Sequence, residues 1–186
     1  MKYQNRAGTY IQLFLILIIV GVTGCASRTP VEPVAEKPID RGALKYKNIF
    51  FREFKAAPQV KSPSTAIQQC RDGAISHLKG KDLFKRVEAS GKASDEGRTL
   101  FVDSTVTSLR IVGGGARFWA GAMAGRSHMK IQVRLIDGET NSLVAEKELF
   151  GAPSAMGGAW SVGGTDKALP SRMGILLGDY ILSNVH

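Results

Sequence analysis

The chain has little of what reactive sites are usually built from. Its 186 residues include two cysteines and three histidines. The histidines (His77, His128, His186) are scattered, without a His-Glu-x-x-His spacing or a cysteine pair, so the sequence predicts neither a metal site nor a cofactor. No G-x-x-x-x-G-K-[ST] is present, and Gly113-Gly114-Gly115 lacks the G-x-G-x-x-G spacing, which excludes the familiar phosphate-cradling loops. No G-x-S-x-G turn offers a serine nucleophile. Asp95-Glu96 sits in a polar stretch and reads as a solvated acidic pair. No apolar run approaches the roughly 20 residues needed to cross a membrane as a helix. The 21 glycines follow no Gly-X-Y register, so a collagen-like chain is also excluded.

What is present is enough apolar content for one ordinary domain, 44%, and an excess of positive charge, +9. Lys2 and Arg6 open the chain with no acid nearby, followed by the apolar run Leu13 to Val22 and then Val22-Thr23-Gly24-Cys25. A basic start and a short apolar run form a secretory leader. Small residues ending at a cysteine are similar to the lipobox of bacterial lipoproteins. That likeness implies cleavage after residue 24 and lipid on Cys25, and several acyl chains would anchor the protein stably. Ala26, rather than Asp, after the cysteine favours the outer membrane over the inner.

Losing residues 1–24 removes Lys2 and Arg6 and lowers the net charge from +9 to +7. Cys70 is then the one cysteine without lipid, and it cannot form an internal disulfide. It falls on the apolar face of an expected helix and reads as a small core residue. Its local base candidate, His77, lies two helical turns away, about 10 Å along the axis.

Residues 25–43, with Pro30, Pro33 and Pro38, read as a tether, and residues 44–186 as a single domain. Tyr46 to Phe54 (YKNIFFREF) predicts a strand. Thr65 and Gln68 suggest a capping box opening a helix with Ile67, Cys70, Ala74 and Leu78 on one face. Strands are expected at Phe84 to Glu88, Thr99 to Val112, Ser127 to Asp137 and Leu143 to Phe150. The third alternates cleanly, with Met129, Ile131, Val133 and Leu135 on one side. Asp137-Gly138 begins a hairpin return on which Glu146 and Glu148 could face Lys130 and Arg134. A last helix is expected from Asp166 to Val185, with Leu169, Met173, Leu176 and Tyr180 along it and Pro170 in its first turn. Gly174 and Gly178 would let it approach a neighbour closely. The expected fold class is α+β: a mostly antiparallel sheet of about five strands with two helices packed on one face, in the order βαββββα.

Ten of the 21 glycines fall in two segments, 113–125 and 151–164. If the three long strands form a meander, both segments emerge at one end of the sheet. They carry Phe118, Trp119, Met123, Met156 and Trp160. From Ser104 to Ile136 no acidic residue occurs, while Arg110, Arg117, Arg126, Lys130 and Arg134 do. Either the aromatic groups fold back to cap the core, or they form a basic-rimmed contact surface. The residues expected to meet a partner are Arg117, Phe118, Trp119, Met123, Arg126, Met156 and Trp160.

The lipobox, the YKNIFFREF strand and the run SLRIVGGGARFWAGAMAGRSHMKIQVRLIDGETNSLVAEKELFG together resemble an uncharacterised bacterial lipoprotein family, domain of unknown function 4410. The likeness spans roughly Leu44 to Val185. It implies the architecture and an outer-membrane address, and it brings no catalytic residues. The expectation is a non-enzymatic lipoprotein on the periplasmic face of the outer membrane. Its glycine-rich end would contact another envelope protein or a second copy, or alternatively an anionic envelope ligand such as a lipid headgroup, lipopolysaccharide or glycan. An exported protein of this kind has no nucleic-acid partner.

Overall fold

The structure is a computed structural model that describes residues 43–91, 97–153 and 164–186. The expected leader, nearly all of the expected tether, Asp95-Glu96, Met156 and Trp160 lie outside the described residues. The strands are β1 (Asn48–Ala56), β2 (Arg86–Glu88), β3 (Thr99–Arg110), β4 (His128–Asp137) and β5 (Leu143–Gly151). The helices are α1 (Ser64–Gly80), α2 (Gly114–Ala120), α3 (Gly164–Lys167) and α4 (Leu169–Leu182).

One five-stranded sheet runs β2-β1-β3-β4-β5. β3, β4 and β5 form the expected antiparallel meander, and β3 with β4 is the longest pairing of the sheet. β1 instead pairs in parallel with both neighbours, with α1 as the crossover that carries the chain from β1 back to the start of β2. The fold is thus α+β with a mixed, mostly antiparallel sheet.

Alternation decides which face is buried. Met129, Ile131, Val133 and Leu135 of β4, Val102 and Val106 of β3, and Ile49 and Phe51 of β1 are buried in one cluster with α1 and α4. At roughly 25 cal/mol per Å² of apolar surface, this face is the main source of stability. The other face is largely charged, with Arg52 on Asp103 at 2.6 Å and Lys130 on Glu148 at 2.9 Å. Glu148 meets Lys130 as the alternation suggested, while Glu146 accepts from Gln132 at 2.9 Å.

Two local expectations are corrected. α1 begins two residues early, with Pro63 rather than Thr65 at its cap and the Ile67 amide donating to the Pro63 carbonyl at 2.9 Å. Thr65 therefore sits inside the first turn, too far along to cap it, and the capping box does not form. The C-terminal segment divides into α3 and α4, and the buried stripe of α4 is Leu169, Met173, Leu177 and Ile181. Leu176 is exposed, since the stripe that meets both α1 and the sheet is centred one position later.

α1 and α4 meet through small residues. A Cβ on Gly73 would stand 2.8 Å from the Ser171 carbonyl oxygen, and one on Gly178 would stand 2.7 Å from the His77 ring. A Cβ on Gly174 would collide with the Cys70 carbonyl oxygen and the Ala74 amide. The two backbones approach as Gly174 and Gly178 suggested. Cys70 is buried in this contact, and burial pushes its thiol up to about 12.

The end of the sheet where β1 and β3 begin is fastened by Asp137. Its carboxylate accepts from the Tyr46 hydroxyl at 2.9 Å and from Arg98 at 2.9 Å. It also accepts from the amides of Glu139 at 3.0 Å and Thr140 at 3.2 Å, which shapes the turn into β5.

Candidate interaction surface at the glycine-rich end

β3 ends at Arg110 beside His128, where β4 starts, and Met129 faces Gly151 at the end of β5. The segments leaving β3 and β5 therefore depart from the same end of the sheet. Between β3 and β4 the chain forms α2 followed by a single 3₁₀ turn, Gly121–Ala124. Ala116 to Ala120 can extend a helix, whereas Gly121 (φ 52°) and Gly125 (φ 89°) take left-handed conformations that end it and return the chain to β4.

Both feet of this insertion are held by one buried relay. The Val112 amide donates to Ser127 Oγ at 2.8 Å, and Ser127 Oγ donates to Asp166 of α3 at 2.6 Å. Ser127 and Asp166 are fully buried. The relay joins the start and finish of the insertion to the helix that follows the second glycine-rich segment. Nothing in the spacing of Ser127 and Asp166 signals the relay, because the pairing depends on the fold.

The tip points into solvent. Phe118 is 69% exposed, Trp119 86% and Met123 93%. The Phe118 and Trp119 rings meet edge to face with centroids 5.2 Å apart. These three side chains do not cap the core. On the α4 side of this end, Gly151 backs directly onto Met173 and Leu169. Leaving such groups in water forgoes about 1.5–3 kcal/mol for each large apolar side chain. Ile111 and Phe150, at the same end, are also exposed.

Charge is placed more narrowly than the sequence suggested. Lys130 is held by Glu148, so its charge is offset locally. Arg110 and Arg126 are exposed, and among the described residues neither pairs with a carboxylate. Arg110 reaches across the base of the insertion: its Nη2 lies 3.1 Å from where a Cβ on Gly125 would stand. Arg117 lies within α2, and its side chain is outside the described residues. Ser108 Oγ and His128 Nε2 are 2.9 Å apart at the same end. Among the described residues no three His, Cys, Asp or Glu groups gather as a metal ion would need. The structure thus brings Phe118, Trp119, Met123 and Arg126 together on one insertion.

The family model for Domain of unknown function (DUF4410) matches residues 39–164. The chain belongs to the DUF4410 family. The match takes in all five strands and the exposed insertion and stops where α3 begins, so α4 lies beyond it, short of the span expected from sequence. No curated protein shows significant similarity to this DUF4410 chain. Its fold is similar to a Xanthomonas campestris protein of the DUF330 family, with TM-score 0.50 and 13% identity over 76% of this chain and 86% of that one. PelC from Paraburkholderia phytofirmans, crystallised as a dodecamer, aligns with TM-score 0.48 and 14% identity over 70% of this chain and 88% of that one. A minor lipoprotein from Acinetobacter baumannii aligns with TM-score 0.40 and 9% identity over 76% and 92% of the two chains.

Proposed function

We propose that this DUF4410 protein is an exported, non-enzymatic bacterial lipoprotein, held by lipid on Cys25 at the periplasmic face of the outer membrane. Residues 25–43 are its tether and the domain acts by contact through the β3–β4 insertion. The address is supported by the basic start, the short apolar run and the Val22-Thr23-Gly24-Cys25 sequence. The mode of action is supported by one observation above the rest: Phe118, Trp119 and Met123 stand in solvent on a short insertion whose two feet are fixed by a buried relay. A rigid base with an apolar tip is the arrangement a recognition surface needs.

The test has two parts. Inhibiting the lipoprotein signal peptidase should leave a larger precursor, and Cys25→Ser should abolish incorporation of labelled fatty acid into the protein. A photo-cross-linker at position 119 in intact cells should give discrete adducts. An unprocessed chain recovered from cytosol would overturn the address, and an absence of both protein and lipid adducts would overturn the contact role.

A further inference from the structure

We infer that the β3–β4 insertion docks on an anionic phospholipid bilayer surface, so that the domain touches the membrane at a second point besides its lipid. The inference rests on the contact role just proposed and names the partner.

Three observations carry it. The exposed tip is made of Trp119, Phe118 and Met123. Tryptophan and phenylalanine partition into the headgroup region, where an apolar ring body can be buried. The remainder of α2 and the 3₁₀ turn is glycine and alanine apart from Arg117, so shallow burial strips water from almost no polar side chain. The exposed flanking charge has one sign: Arg110 and Arg126 are exposed at the base, no acid occurs from Ser104 to Ile136, and Asp166 beneath the insertion is buried. Basic residues at a bilayer surface each gain about 1 kcal/mol from anionic lipid. The same charge opposes a contact between two copies of this tip.

The topology sets a length condition that the sequence meets. The folded domain begins where β1 and β3 begin, whereas the insertion lies where β3 ends, 12 residues away along β3. That is about 40 Å of strand. The stretch between Cys25 and the domain, with three prolines, reaches about 55 Å when extended. An anchored domain can therefore turn its far end back to the bilayer.

The test uses the mature chain carrying Cys25→Ser, so that lipid on the protein contributes nothing. Its co-sedimentation is measured with vesicles of phosphatidylethanolamine and phosphatidylglycerol (3:1) and of phosphatidylcholine alone. Binding to the anionic vesicles is expected to fall at least about tenfold in Phe118→Ser/Trp119→Ser/Met123→Ser and to weaken in Arg110→Gln/Arg126→Gln and at 0.5 M salt. Thermal melts of both variants should match the parent, which separates lost contact from lost fold. Equal binding to both vesicle types, or full binding by the triple variant, overturns the inference. No vesicle binding alongside protein adducts from position 119 in cells would assign the surface to a protein and leave the contact role standing. Failure of Cys25-dependent fatty-acid labelling would overturn the anchor without touching the vesicle result.

Discussion

Ser127 Oγ stands 2.6 Å from the Asp166 carboxylate while accepting the Val112 amide, so a single hydroxyl joins three separate segments inside the core. Ser127→Ala would leave the Val112 amide without this acceptor and take one donor from Asp166. A buried group deprived of its partner costs about 1–3 kcal/mol. We expect a loss of that size in urea-induced unfolding. Serine at position 118 or 119 should change stability by less than about 0.5 kcal/mol, as for other solvent-facing positions.

Gly174 and Gly80 make a paired prediction. Gly174→Ala forces a methyl group against the Cys70 carbonyl and the Ala74 amide, both backbone atoms that cannot step aside. It should destabilise by more than about 2 kcal/mol. Gly80 ends α1 with nothing near its missing Cβ, and Gly80→Ala should be neutral or stabilise by up to about 1 kcal/mol. Equal effects from the two alanines would mean that the helices do not meet as described.

The Asp137 cluster predicts a pH dependence at both extremes. Burial raises the Asp137 carboxyl, but hydrogen bonds from Tyr46, the Glu139 and Thr140 amides and Arg98 outweigh it and hold it at about 2, below its ordinary 3.8. Its stabilisation is then complete above pH 3.8 and lost as pH falls through about 2. For Tyr46, burial and then Asp137 raise the phenol from 10.0 to about 12, so that contribution is complete below pH 10 and lost as pH rises through about 12. Unfolding midpoints followed against pH should be flatter at the acid end in Asp137→Asn and at the alkaline end in Tyr46→Phe.

Cys70 should resist alkylation in the folded protein. Its thiol is buried and un-ionised at neutral pH, and the thiolate is the reactive form. Labelling of the Cys25→Ser chain should rise with urea along the same curve as the far-ultraviolet circular dichroism. Rapid labelling without denaturant would show that the α1–α4 contact opens locally.

Much of this fold is legible in the residues because its strands alternate. Met129 to Leu135 on one side and His128 to Arg134 on the other fix the buried face of β4, and Asp137-Gly138 fixes the turn after it. The parallel pairing of β1 is not legible, since Ile49, Phe50 and Phe51 are apolar on both faces and do not encode strand direction. The stripe of α4 is misread by one position because glycines 174 and 178 take part in it without adding hydrophobicity. At the glycine-rich end, the run of aromatic, glycine and arginine residues marks the site. Whether its rings turn inward depends on α4 already filling that end, and the offsetting of Lys130 by Glu148 depends on strand register.

β1 lies between β2 and β3, so both of its ladder partners come later in the chain, the main one beginning at Thr99. Until that stretch has arrived, Ile49, Phe50 and Phe51 form a sticky, β-prone segment with no native lattice to join. Folding from the amino end is therefore barred by topology. A chaperone that shields this segment while the later residues are delivered should raise the yield of native protein, and diluting it from denaturant at high concentration should aggregate it through β1 first.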